Sequence, residues 1–269
     1  MSKVVLITGG SSGIGRAVCT YLTDKGYTVY GTSRNPEKLP SEKFHYTLER
    51  LDVTDPGQVQ DLVGRIKEKE GRIDVLINNA GVGITGPVEE TPREEIEKAF
   101  DTNFYGPLNL INAVLPVMRE QKSGLIINIT SIAGYMGLPY RGIYSATKGA
   151  LSLVSESLQM EVHEFNIDIC NIAPGDFNTD IANRRYHAPM PASSPYSQNY
   201  EQVLDIVNKQ VAEAGEPLKI AKTVEKIIRS KNRKIHYKVG AFMEKFSVVL
   251  KKILPDKVFK KLLLNHYKL

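Results

Sequence analysis

Short β-branched runs separated by longer helical patterns recur through most of this chain. That alternation is the signature of strand–helix–strand units around a parallel sheet. The runs at residues 4–8, 28–32, 46–51, 75–77, 125–130 and 168–172 are near-continuous apolar stretches. Strands buried on both faces require that pattern, because no face is left for polar residues. Helical periodicity covers residues 14–25, 58–69, 93–119 and 144–164, with Asp55-Pro56 suited to cap and start the second. The expected fold is therefore α/β: a doubly wound parallel sheet with helices on both faces. The alternation stops after Pro174-Gly175, and residues 176–197 are rich in Pro, Ser, Asn and Tyr without periodicity. Residues 176–217 are expected to form a substrate loop or lid.

Composition narrows the class further. The chain has 269 residues, of which 42% are hydrophobic, enough for one sizeable core, so 1–269 is read as a single domain. Its two cysteines, Cys19 and Cys170, lie far apart in apolar runs, which indicates neither a disulfide framework nor a zinc site. The five histidines show no metal spacing, so no metal is expected. No apolar run reaches the length of a membrane span, and the expected location is cytoplasmic. The net charge of +5 hides an asymmetry. Residues 1–217 carry 20 Lys/Arg against 27 Asp/Glu, whereas residues 218–269 carry 15 against 3. The basic character belongs to the C-terminal fifth.

The most specific motif joins the first strand to the first helix: Thr8-Gly9-Gly10-Ser11-Ser12-Gly13-Ile14-Gly15. Glycine there permits positive φ and lets an anion approach the backbone with no Cβ in the way. The N–H groups at the helix start supply the charge complement for a pyrophosphate, and Ser11 and Ser12 add hydroxyl donors. Val18 occupies the third position after Gly13-Ile14-Gly15, so the ordinary G-x-G-x-x-G fingerprint is not met. The spacing Thr8-Gly9-x-x-x-Gly13-x-Gly15 resembles instead the cofactor turn of the short-chain dehydrogenase/reductase family, whose fold is a single-domain Rossmann-like sheet. No Walker-type Lys-Ser/Thr follows, which argues against a nucleotide hydrolase.

In dinucleotide folds an acidic residue about 20 residues beyond the glycines holds the adenosine ribose. Here the second strand ends Thr32-Ser33-Arg34-Asn35. Ser33 removes the carboxylate that would repel a 2′-phosphate, and Arg34 supplies a forked cation for one. The expected cofactor is NADP(H), with Arg34 contributing about ten- to a hundredfold in affinity.

Further downstream stand Ser131, Tyr144 and Lys148. Hydride addition to a ketone leaves an oxyanion that must be protonated, and a tyrosine with a lowered pKa can do this. Tyr144 and Lys148 are four residues apart and share a helix face. An ammonium about 4 Å away contributes on the order of 4 kcal/mol at an effective dielectric of 20, so the phenol is expected to be shifted down. Ser131 ends a strand at the carboxyl edge of the sheet, where ligands bind, and can steady the substrate oxygen. Tyr135 and Tyr140 lack a lysine four residues on and are read as pocket lining.

The family resemblance implies further positions. Asp52 and Val53 resemble the adenine-contacting turn, and Asn79, Ala80 and Gly81 belong to a matching Asn-Asn-Ala-Gly segment. Asn103 would interrupt its helix and hold a water connecting to Lys148. Pro174, Gly175, Phe177 and Thr179 resemble the nicotinamide turn, although Phe177 departs from the usual small aliphatic residue. Family members commonly pair through the two long helices, so a homodimer or homotetramer is implied.

The expected substrate is a small hydrophobic ketone, aldehyde or alcohol, since the loop after Gly175 carries Ile181, Tyr186, Met190, Pro191, Tyr196 and Tyr200. Residues 239–269 form a basic amphipathic segment that either packs on the core or makes a peripheral contact with anionic lipid. This tail and the Thr-Ser-Arg strand end resemble the 17β-hydroxysteroid dehydrogenase and retinol dehydrogenase-like group. No nucleic-acid-binding module is present. The competing function is a non-catalytic NADP-binding sensor or scaffold, which predicts damage to the proton-transfer set; Ser131, Tyr144 and Lys148 are intact.

Overall fold

The computed structural model describes residues 2–40, 44–178 and 185–269. Strands β1 (Val4–Ile7), β2 (Thr28–Ser33), β3 (Thr47–Arg50) and β4 (Val75–Asn78) alternate with helices α1 (Gly13–Asp24) and α2 (Pro56–Glu70). A short strand β5 (Ile84–Thr85) precedes α3 (Arg93–Phe100) and α4 (Gly106–Gln121), which are joined through a wide π turn, Asp101–Tyr105. Then come β6 (Gly124–Ile129), α5 (Gly142–Glu161) and β7 (Ile167–Pro174). The remainder comprises β8 (Tyr186–His187), α6 (Ser197–Ala212), α7 (Leu218–Arg229), β9 (His236–Val239), α8 (Phe242–Ile253) and α9 (Asp256–Tyr267).

Seven strands pair in the order β3-β2-β1-β4-β6-β7-β9, all parallel. Strand order reverses between β1 and β4, and the crevice outside the carboxyl ends at such a point is where ligands bind in open α/β sheets. The period-two alternation of the strands divides the core into two layers. Val4, Leu6, Leu76 and Ile126 face the layer under α2 and α4, while Val5, Ile7, Val75 and Ile127 face the layer under α1 and α7. The Asp55 side chain caps α2 by accepting the Gln58 N–H at 3.1 Å, as expected from sequence.

Four elements depart from the sequence reading. The seventh strand, β9, sits at the sheet edge with only β7 beside it, so its mostly half-buried residues lack the apolar run that marks the inner strands. Helix α7 lies within the basic region yet buries Ile220, Ala221, Val224, Ile227 and Ile228, and the lysines occupy its outer side. The helix expected over residues 93–119 is continuous but widens into the π turn containing Asn103, the residue at which the family resemblance implied an interruption. Residues 185–217 are more ordered than a loop: β8 pairs in parallel with β5, and α6 follows.

The tail packs on the body of the protein. Val248, Phe259 and Tyr267 are buried, the first two in a cluster with Ile132, Met136 and Ala173. Among the described residues, no helix is long and apolar enough to cross a membrane. Cys19 and Cys170 are both free and buried, and burial pushes both thiols well above their ordinary range.

Candidate active site

A single cleft of about 500 Å³ runs along the carboxyl ends of the strands, from Arg34 to Arg185. Gly9, Ser11, Ser12, Gly13 and Ile14 line one wall. Gly9 and Gly13 have φ of +68° and +51°, which a side chain would strain. Gly15 is required for another reason: a Cβ there would lie 2.1 Å from the Gly9 carbonyl oxygen. The turn is tied to the strand beside it through Thr8, whose hydroxyl accepts the N–H groups of Asn79 and Ala80, each at 3.0 Å. In return the Asn79 side-chain amide donates to the Thr8 and Gly9 carbonyls at 2.9 and 3.2 Å. The Asn-Asn-Ala-Gly segment thus locks the glycine turn open while its small residues leave the cleft free.

At the far end Ser33, Arg34, Asn35 and Lys38 line the cleft. Lys38 was missed by sequence reasoning: it lies four residues past Arg34, after a short turn, and nothing in the local pattern marks it as facing the same space. Asp52 and Val53 lie beside them, with Asp52 Oδ1 accepting from Thr54 N–H and hydroxyl at 3.0 and 2.8 Å. Positive-φ glycines, a hydroxyl-lined helix start and two cations at the distal end fit a phosphorylated dinucleotide. Gly9, Ser11, Ser12, Gly13 and Ile14 would hold its pyrophosphate and Arg34 its ribose end.

The opposite end carries the residues expected from the sequence to transfer protons. Ser131 ends the turn after β6, and its Oγ accepts the Ala133 N–H at 3.1 Å, which fixes the hydroxyl over the cleft. Tyr144 lines the same end of the cleft, where the Ser131 hydroxyl acts to favour ionisation of its phenol. One helical turn on, Lys148 is buried and donates its Nζ hydrogen to the Ile129 carbonyl at 3.0 Å. Helix α5 is held in register by a buried ladder, Asn78 to Asn128 at 2.8 Å and Asn128 to Ser155 at 2.8 Å. Ser131, Tyr144 and Lys148 therefore line one end of the same cleft.

Electrostatics correct one expectation. The Tyr144 phenol lies above its ordinary value rather than below it, because burial disfavours the phenolate. Three effects pull it back: the Arg141 charge, the Ser131 hydrogen bond and the Arg185 charge, while Asp176 opposes them. Burial drives Lys148 down to about 8. The cations that act on the phenol are two arginines that the sequence reading did not single out. Arg141 precedes Tyr144 by three residues, and Arg185 stands just ahead of β8, brought in only by tertiary pairing.

Asn103 lies in the π turn, a feature frequent at functional sites. Its Oδ1 accepts the Val82 N–H at 2.8 Å, and its amide donates to the Val82 carbonyl at 2.9 Å and the Thr147 hydroxyl at 3.2 Å. Thr147 in turn donates to the Tyr144 carbonyl at 2.8 Å. Asn103 thus clasps the loop after β4 to the catalytic helix. A Cβ on Gly81 would lie 3.0 Å from Asn103 Oδ1 and 3.4 Å from Lys148 Nζ, so glycine keeps that contact open.

Pro174, Gly175 and Phe177 line the cleft, with Phe177 buried and bridged to Gly215. Thr179 and Ile181 lie outside the described residues. Glu244, at the start of α8, was not anticipated: its carboxylate accepts the N–H groups of Asp176 and Ala241 at 2.7 and 2.6 Å. A Cβ on Gly175 would lie 2.0 Å from that carboxylate, so the basic tail begins by pinning the nicotinamide turn.

The aromatic residues expected to line the pocket do not. Tyr135 packs against His236 and Lys238, and Tyr140 packs edge-on against Tyr200. Tyr200 is buried with its hydroxyl 2.9 Å from the Thr85 hydroxyl, and the Tyr196 hydroxyl is bound to Glu89. Their role is to seat α6 on β5. Among the described residues, no group of three or more His, Cys, Asp or Glu could hold a metal ion.

The family described as short chain dehydrogenase matches residues 3–189. The chain belongs to the short-chain dehydrogenase/reductase family. It is 40% identical over 255 residues to a 3-ketodihydrosphingosine reductase of Bacteroides thetaiotaomicron, covering 94% of each chain. A solved short-chain dehydrogenase from Streptomyces avermitilis superimposes with a TM-score of 0.84 at 30% identity, covering 100% of this chain and 97% of the other. ElxO, solved with NADP bound, gives 0.71 at 30% identity over 88% and 96% of the two chains. A Burkholderia phymatum relative in complex with NAD gives 0.75 at 25% over 87% and 88%. The protein is an oxidoreductase of this family, and the family binds a nicotinamide cofactor.

Proposed function

We propose that the protein is an NADP(H)-dependent reductase and dehydrogenase that interconverts a carbonyl and an alcohol on a small hydrophobic substrate. The observation that carries this is that Ser131, Tyr144 and buried Lys148 line one end of a cleft whose other end holds Ser33, Arg34 and Lys38. A bound NADP(H) supplies or accepts the hydride. Tyr144, held protonated by burial, donates its proton to the substrate oxygen during reduction, and Ser131 steadies that oxygen. Lys148 keeps an ammonium behind the site and Asn103 fixes the helix that carries it.

Among steroid, retinoid, acyl and sphingoid carbonyl compounds, a long-chain keto substrate has the support of the relative at 40% identity. The tail resemblance to the 17β-hydroxysteroid and retinol dehydrogenase-like group has no such support. The sensor reading is disfavoured because every member of the proton-transfer set is present and assembled. The test is a panel of steroid, retinal and long-chain keto compounds followed by NADPH oxidation and repeated with NADH. A kcat/KM preference for NADPH is expected; preference for NADH would overturn the cofactor assignment.

Two surfaces extend the proposal. Exposed Leu153 and Met160, seven residues apart on α5, form an apolar strip near exposed Tyr105 and suit a second copy of the chain. A monomer in sedimentation equilibrium would refute that pairing. On α8, Phe242, Phe246, Val249 and Ile253 are exposed on one face, amid the basic charge of residues 218–269. That face suits an anionic bilayer, and vesicles of mixed neutral and anionic lipid should sediment the protein more strongly than neutral ones.

A further inference from the structure

The substrate end of the cleft carries two cations besides Lys148. Arg141 sits at the N-terminal boundary of α5, and Arg185 stands just ahead of β8; both line the cleft beside Tyr144. Arg185 lies across Gly83, where a Cβ would meet its Cγ at 2.9 Å, so the absence of a side chain there admits the guanidinium to the site. Its Nη1 is buried and has no hydrogen-bond partner among the described residues. No ion pair involving Arg141 or Arg185 occurs among the described residues.

A buried guanidinium N–H left unpaired is costly, and a second cation nearby adds to the cost. Burial and the neighbouring Arg141 both weaken the hold of Arg185 on its proton, with Tyr144, Asp176 and Tyr200 only partly offsetting them. An anion between the two forks would relieve all of these penalties at once, by bidentate charge-assisted bonds. Phosphates of the cofactor are accounted for at the glycine turn and at Arg34, so the anion belongs to the other reactant.

We propose that Arg141 and Arg185 form a subsite for an anionic group of the substrate, a carboxylate or phosphate carried close to the carbonyl that Tyr144 protonates. The inference rests on the proposed reductase reading and narrows its substrate to an amphiphile with an apolar body and an acidic head. A substrate presenting an ammonium at that position is disfavoured by the same two charges.

The test measures binding rather than turnover. Decanoate, 1-decanol and decylamine are titrated by calorimetry into the NADP⁺-loaded protein. Decanoate should bind about ten- to a hundredfold more tightly than decanol, with decylamine weakest. Arg185→Met and Arg141→Gln should each shrink the decanoate-to-decanol gap, and Arg185→Lys should restore part of it, which separates lost charge from a disturbed fold. Equal binding of decanoate and decanol, stronger binding of decylamine, or no decanoate binding at millimolar concentration would overturn the subsite. So would a tenfold loss of NADP⁺ affinity in Arg185→Met, since the guanidinium would then serve the cofactor. Failure of the reductase reading is seen separately, as absence of NADPH oxidation across the carbonyl panel.

Discussion

The two ends of the cleft are built in opposite ways. The phosphate end is made of backbone: glycines at positive φ, a helix start, and amides locked by Thr8 and Asn79, all within or beside one turn. The substrate end is made of charged side chains from separate segments, Arg141 just ahead of α5, Asp176 from the turn after β7 and Arg185 just ahead of β8. A backbone site tolerates little change, because every N–H has one place. A side-chain site can be rewritten residue by residue, which suits a family that keeps one cofactor chemistry and varies the substrate.

The largest expected effect tests the junction of the two ends. Tyr144→Phe should lower kcat by about 10³-fold or more while NADPH fluorescence titration still shows binding, since the phenol hydroxyl is the only group removed. Retained turnover would sink the assigned mechanism. Gly15→Ala should break the backbone end: the new Cβ meets the Gly9 carbonyl at 2.1 Å, so the turn must move, with an expected loss of ten- to a hundredfold in NADPH affinity. An Ala variant that binds NADPH normally would mean that the turn is less constrained than its contacts imply.

Smaller effects sharpen the contrast. Arg34→Leu should reduce the ratio of kcat/KM for NADPH over NADH by about tenfold, without altering the NADH value, because only the 2′-phosphate distinguishes them. Glu244→Ala removes the acceptor of two backbone N–H groups and unpins the Gly175 turn. A loss of about 1–3 kcal/mol, read as a fall of several degrees in Tm, is expected. Unchanged Tm would show that α8 does not brace the cleft.

The smallest effect is a pH dependence. Lys148 is lowered from 10.5 to about 8 by burial, so between those values the unfolded chain holds more protons than the folded one. Stability of the cofactor-free protein should therefore rise with pH through that window, the burial cost being fully present below about 8. Lys148→Met lacks the term, and its Tm relative to the parent should decline as pH rises from 7 to 10. A constant difference across that range would contradict the shifted lysine.

The N-terminal two thirds of the molecule were largely legible because their signals are local. Five inner strands announce themselves as apolar runs, the α2 cap as Asp55-Pro56, and the cradle as glycines between a strand and a helix. Tyr144 and Lys148 are joined by helical geometry, which sequence spacing reports directly. The edge strand β9 was illegible because one exposed flank lets it carry His236, Tyr237 and Lys238. The lining role assigned to Tyr135, Tyr140 and Tyr200 failed for a related reason: an aromatic residue near a site in sequence has many neighbours to pack against, and composition does not choose among them.

By itself, then, the sequence determined a doubly wound parallel sheet, the dinucleotide cradle and the proton-transfer set, since each depends on contacts within a turn or two of chain. Only the tertiary structure decided what surrounds Tyr144. It placed Arg185 over Gly83 by pairing β8 with β5, brought Lys38 beside Arg34, and set Glu244 of the tail against Gly175. Those contacts join residues tens of positions apart or across an irregular turn, and no periodicity encodes them. The balance of charge at the phenol follows from them, and so the direction of its shift could be read only after the chain was folded.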